Sequence, residues 1–116
     1  MYHITFPEKT NRESWIFVGL ITDLNDNPVD LTGCSMVFRA RPPSNISGPD
    51  LVASTSNGKL ALSDQRGQFQ WGFALSEMRA LCPGTYDTGL TLTSADGVQT
   101  MQLCEGPLPI IDGVVP

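Results

Sequence analysis

One histidine, three cysteines and a scatter of carboxylates are the residues of this chain best suited to catalysis or metal binding. His3 has the lone pair of a zinc ligand and the basicity of a proton acceptor. A zinc site, however, needs further His or Cys ligands at short fixed spacing, and the nearest thiol in sequence is Cys34. His3 therefore reads as an exposed or edge histidine. Cys34, Cys82 and Cys104 form an odd, widely spaced set that matches no ligand or redox motif. They make a poor disulfide framework, with at most one pair left to bridge.

The carboxylates come next, because two acids at the right separation can cleave a glycosidic bond. Asp23, Asp26, Asp30, Asp50, Asp64, Asp87, Asp96 and Asp112 fall almost entirely at turns or strand ends. There an aspartate accepts local backbone hydrogen bonds and specifies the turn. The run "DLNDNPVD" superficially offers a calcium loop through Asp23, Asn25, Asn27 and Asp30. An EF-hand loop needs glycine at its sixth position, an acid at its twelfth and helices on both sides. Here those positions hold Pro28 and Cys34, and the flanks read as strands. Serine nucleophiles fare no better: "GCSMV" lacks an elbow pattern, and any triad would have to recruit His3 from the terminus. "QRGQ" and "SNGK" are turns, without the spacing of a phosphate loop. The residues imply no catalytic set, no metal and no cofactor, and the chain is expected not to be an enzyme.

The elements that would position these groups are short strands. "SWIFVGLITDL" places Trp15, Phe17 and Ile21 on one parity and Ile16, Val18 and Leu20 on the other. With both parities apolar, both faces are expected to be covered. "NDNP" supplies turn chemistry, and Val29 and Leu31 anchor the connector on the core before Gly33 opens the next strand. "CSMVFRAR" alternates, with Cys34, Met36, Phe38 and Ala40 inward. Two short strands follow at 51–54 and 59–63. Gly67 closes a turn into "QFQWGFAL", where Phe69, Trp71, Phe73 and Leu75 share one face. "SEMRAL" predicts one helical turn capped by Ser76, which Pro83-Gly84 stops. Tyr86 begins a strand carrying Leu90 and Leu92, in the position of a tyrosine corner whose hydroxyl bonds nearby backbone. "SADG", ending at Gly97, turns a hairpin. "VQTMQLCEG" returns, and "PLPIIDGVV" forms a last strand that its two prolines confine to an edge.

The core is thus expected to hold Trp15, Phe17, Phe38, Phe69, Trp71, Phe73, Leu90 and Leu92. The aromatic residues among them have strand periodicity, which favours a core over a carbohydrate groove. About eight strands with turn signals roughly every 8–12 residues predict an all-β, immunoglobulin-like antiparallel sandwich with one short helical turn crossing between its sheets. Pro28, Leu31, Gly33, Gly67, Tyr86 and Gly97 are its turn and corner residues.

Bulk properties narrow the function classes. At 116 residues the chain suits a single domain, 1–116, with residues 1–11 as an N-terminal arm or edge strand and 107–116 as a C-terminal edge strand or arm. Eleven Gly and nine Pro favour many short strands, and 41% hydrophobic with 16% charged residues is a globular balance. A net charge of −5, with cations scattered from Lys9 to Arg79, provides no basic stripe for nucleic acid. No window approaches the roughly 18 apolar residues of a membrane helix. "MYHITFPEKTNRE" lacks a basic start and an apolar core, so synthesis and folding in the cytoplasm are expected.

Taken in order, "ESWIFVGLITD", "LNDNPVDLTGCSMVFRAR", "DQRGQFQWGFALS" and "LCPGTYDTGLTLTSADGVQTMQLCEGPLPI" resemble a pattern found in tailed bacteriophages. They are similar to the small immunoglobulin-like sandwich of virion proteins, and in particular to the N-terminal domain of baseplate upper proteins that hold receptor-binding proteins. The likeness runs over residues 12–113. It implies a virion structural protein of a tail, baseplate or head–tail assembly, made in the host cytoplasm. Its partners would be other virion proteins and further copies of itself, joined through sheet edges and terminal arms. A capsid decoration protein on the outer shell is the alternative within this class. From another class, the loops "PPSNISGPD" and "SDQRG" would serve a host-glycan-binding module. No coiled coil or fibre region follows the sandwich before Pro116, so a free-standing module is expected.

Overall fold

The computed structural model describes residues 2–3, 6, 8–22, 25–45, 48–63 and 66–112, with backbone alone for Tyr2 and His3. Strict alternation sets the layers. In chain order come β1 (Tyr2–His3), β2 (Lys9–Thr10), β3 (Trp15–Leu20), β4 (Ser35–Arg41), β5 (Leu51–Ser54), β6 (Leu60–Leu62) and β7 (Gln68–Phe73). A short helix α1 (Leu75–Arg79), β8 (Gly84–Thr93) and β9 (Thr100–Ile111) complete the chain. The larger sheet has the order β1-β9-β8-β4-β5, with β2 also on β9, and the smaller has the order β3-β7-β6. Neighbours run antiparallel except β1 and β2, which lie parallel to β9. This is the all-β sandwich that the alternating pattern predicts, and α1 carries the chain from the smaller sheet to the larger.

Aromatic rings fill the space between the layers. β4 alternates exposed and buried along its whole length, sending Met36, Phe38 and Ala40 inward. β7 answers with Phe69, Trp71 and Phe73, all buried. Trp71 stacks on Phe38 across the layers at 4.0 Å and on its register partner Phe17 at 4.4 Å. Phe6 and Trp15 meet Trp71 edge-on. Among the described residues its buried indole Nε1 finds no hydrogen-bond partner. Burial of an aromatic ring this size is worth roughly 4–6 kcal/mol as an upper bound. Leu90 and Leu92 of β8 join the same cluster, while Phe17 is half-buried against it.

Two details differ from the sequence expectation, and one settles an alternative it left open. First, the C-terminal segment is not a separate edge strand. "TMQLCEGPLPII" is one continuous strand with β8 on one side and the N-terminal segment on the other. The Pro107 carbonyl accepts from Phe6 N–H and the Ile111 carbonyl from Asn11 N–H, so the odd-numbered peptide groups here face away from β8. The missing N–H groups of Pro107 and Pro109 therefore fall on the N-terminal side. They interrupt that ladder rather than the one to β8, and the N-terminal partner is split into two-residue pieces pairing at 104–105 and 110–111.

Second, of the two readings left open for residues 1–11, arm or edge strand, the described residues take the edge: Tyr2–His3 and Lys9–Thr10 pair with β9 of their own chain. Phe6 is 3% exposed and touches the rings of Trp15, Phe17, Phe38 and Trp71. Residues 113–116 of the C-terminal arm lie outside the described residues.

Third, Ala74 rather than Ser76 caps α1, and Leu75 belongs to the helix instead of extending the β7 face. The Glu77 carboxylate explains the choice, since from the third helical position it reaches back to the Ala74 N–H at 3.4 Å. Capping from Ser76 would have put that carboxylate next to the cap and out of reach. Alanine leaves the other half of the box empty. Ala74→Ser should complete it and stabilise the fold by about 1 kcal/mol, read as a higher Tm with unchanged cooperativity.

Candidate functional site

The loop around Asp30 shows what the predicted turn residues do. Ile21 N–H donates to the Gly67 carbonyl at 2.8 Å, and Val29 N–H donates to the Ile21 carbonyl at 3.0 Å. Pro28 forms an isolated bridge with Thr22, and Arg66 Nε reaches its carbonyl. Leu31 is 5% exposed in the core cluster, and Cys34 N–H closes the turn on its carbonyl. Gly33 has φ +78° at this corner. Asp30 accepts from both the amide and the hydroxyl of Thr32. Those bonds, the hydroxyl's first, hold the carboxyl below the usual range. A depressed folded-state value adds stability above about pH 4 that is lost as pH falls through it. Asp30 is fully exposed, so Asp30→Ala should be mild at neutral pH. It should also flatten the decline of Tm on acidification, measured by a melt series from pH 7 to pH 3.

The remaining predicted residues are structural as well. Tyr86 is buried, and its hydroxyl donates to the Cys82 carbonyl at 3.0 Å, across the corner between α1 and β8. Gly97 closes the β8–β9 hairpin, where Asp96 accepts from Ser94 Oγ and Val98 N–H. Asp50 pairs with Arg39 at 3.2 Å, and Asp112 accepts from the buried Asn11. Asp23, Asp64 and the His3 side chain lie outside the described residues.

Among the described residues, two of the concave regions with room for a small molecule adjoin candidate groups. One, of about 360 Å³, opens at an end of the sandwich between the sheets, against Phe17, Ile21, Phe69, Leu103 and Cys104. Leu103 is the extra residue of a bulge, since Leu90 pairs with Cys104 but Thr91 with Gln102. Cys104 is a free, half-buried thiol whose pKa burial pushes up. It is thus held protonated at neutral pH and is a poor nucleophile. The other, about 410 Å³, lies on the outer face of the larger sheet among Arg39, Arg41, Asp87 and Gln102. Cys34 is also a free thiol. Among the described residues no three His, Cys, Asp or Glu side chains come together as a metal site. No described helix is long and apolar enough to cross a membrane.

The feature that sequence reasoning missed is on β3. Both of its parities are apolar, and cover on both faces was the expectation. Only one face is covered: Ile16 is 70% exposed, Val18 52% and Leu20 59%. The reason is topological, because the smaller sheet packs on the larger through one face and the described residues place nothing over the other. Beside the stripe, β7 presents Gln68, Gln70 and Gly72, and β6 presents Ala61. The β3 stripe and these neighbours carry no ionisable group, on a chain of net charge −5, and the nearest cation along β6, Lys59, is ion-paired with Glu77. Among the described residues β3 is also the last strand of its sheet, so an apolar face and an open edge coincide. A strand apolar on both parities was the available signal, and it can mean either double burial or an interface. Compared with protein-family models and with curated proteins, the sequence matches none.

Proposed function

We propose that this chain is a non-enzymatic structural subunit of a tailed-phage particle, assembling with its neighbours through sheet edges. The observation that carries the reading is the uncharged outer face of β3 with its open edge. Exposed apolar residues on an unprotected edge favour aggregation, and monomeric proteins blunt such edges with charges, prolines or bulges. Between Ser14 and Thr22 this chain has none of those devices except the natural twist of the strand. An edge left open in this way suits a protein that spends its working life packed against others. The resemblance over residues 12–113 supplies the kind of assembly: tail, baseplate or head–tail structure.

The test is mass spectrometry of purified particles made in a host that expresses the gene. The chain should be present in the particle at a fixed ratio to other structural proteins. Its consistent absence from intact particles would sink the proposal.

A further inference from the structure

We infer that β3 pairs with β3 of a second copy of this chain, antiparallel about a two-fold axis through Val18, to join two small sheets into one. Backbone direction supports this first. Gly72 N–H donates to the Lys59 carbonyl and the Gln68 carbonyl accepts from Ser63 N–H, so even-numbered residues of β7 bond toward β6. The odd-numbered Phe69, Trp71 and Phe73 therefore bond toward β3, opposite Gly19, Phe17 and Trp15. That leaves the peptide groups of Ile16, Val18 and Leu20 pointing away from β7, toward the open edge. The same three residues carry the exposed side chains.

An antiparallel pair centred on Val18 uses all of these groups at once. Val18 meets Val18 of the other copy, and Ile16 meets its Leu20. Each is a hydrogen-bonded pair, because each of these residues has its N–H and C=O turned outward. The same register sets the exposed side chains next to one another on the outer face, where apolar cross-strand pairs are favourable. A one-residue slip would instead oppose outward groups to inward ones and lose the ladder.

Charge selects the occupant. With no ionisable residue from Ser14 to Thr22, and Gln68, Gln70, Gly72 and Ala61 beside it, the surface offers nothing for a charged partner to match. Two copies, each of net charge −5, can pair from Ser14 to Thr22 with no charged residues opposed within that span. An isologous contact needs this kind of self-complementarity. The inference rests on the structural-subunit reading only for the expectation that the chain assembles.

Sedimentation velocity of the full chain over a range of concentrations tests it. The wild type should show a monomer–dimer equilibrium. Val18→Lys, which places two ammonium groups at the axis, should be monomeric throughout. Val18→Pro removes only an outward N–H and should act alike. Register is read by crosslinking: under mild oxidation Val18→Cys should give a disulfide-linked dimer, since Cα atoms about 5.5 Å apart can be bridged. Ile16→Cys, opposite Leu20, should not exceed the wild-type background from the native thiols. A wild type that stays monomeric overturns the inference. So does a dimer that survives Val18→Lys, or one in which Ile16→Cys links as well as Val18→Cys. The cysteine pair decides the matter if the lysine or proline variant fails to fold. Particles that contain the chain, together with a solution monomer, would overturn the edge pairing and leave the subunit reading standing.

Discussion

Gly67→Ala should lower Tm by roughly 10–20 °C, a loss of about 2–5 kcal/mol. Two effects add. Gly67 sits at φ +77°, in the left-handed region, where any L side chain costs about 1–2 kcal/mol. A β-carbon there would also lie 2.5 Å from the Ile21 carbonyl oxygen and 3.2 Å from the Val29 nitrogen, both backbone atoms. Neither can swing aside, because Gly67 and Val29 both hydrogen-bond to Ile21. Relieving such an overlap costs a further 1–3 kcal/mol or so. Gly97 is the control: its φ is +76°, yet nothing lies within 4 Å of the added carbon. Gly97→Ala should therefore cost only the backbone part, about 1–2 kcal/mol. Equal melting temperatures for the two variants would show that close approach plays no part at Gly67.

Leu31→Asp should abolish the cooperative folding transition at 25 °C. Truncating a core leucine costs about 2–5 kcal/mol. Aspartate adds the cost of desolvating a carboxylate whose neighbours in the core cluster are apolar. Together these approach the whole stability of a typical domain, about 5–15 kcal/mol. Leu31→Met keeps the volume and should cost less than about 1.5 kcal/mol. Circular dichroism melts of the pair, beside Asp30→Ala, separate burial from turn chemistry at adjacent positions. A wild-type melt for Leu31→Asp would remove the loop's anchor from the core.

Those two sites show how the fold was legible in sequence. Period-two alternation in "CSMVFRAR" and "QFQWGF" puts Phe38 and Trp71 on the inward faces of their strands without any knowledge of topology, because a strand has only two faces to choose between; that the two rings stack on each other is seen only in the fold. Turn residues at Pro28, Gly33, Gly67 and Gly97 mark reversals through their own backbone preferences. What escaped depended on long-range neighbours. The cap of α1 turned on where β7 stops, which sequence places only to within a residue or two. Phe6 gave no periodic signal at all, yet it fills the centre of the aromatic cluster. The open face of β3 was hidden for a deeper reason. Ile16, Val18 and Leu20 are equally suited to a second layer of the same chain and to a second molecule, and local sequence cannot say which one covers them.

The split ladder on β9 also has a consequence for biosynthesis. β1 and β2 take their hydrogen-bond partners from residues 104–105 and 110–111, close to the other end of the described chain. A ribosome makes those partners about a hundred residues after the strands they pair with, so β1 and β2 wait for that much further synthesis before they can pair. Such distant pairing is slow to form, since a long loop must close before any contact rewards it. Until then the seat of Phe6 among the rings of Trp15, Phe38 and Trp71 lacks its tie to the Pro107 carbonyl. Completing the larger sheet thus depends on latching together two segments about a hundred residues apart.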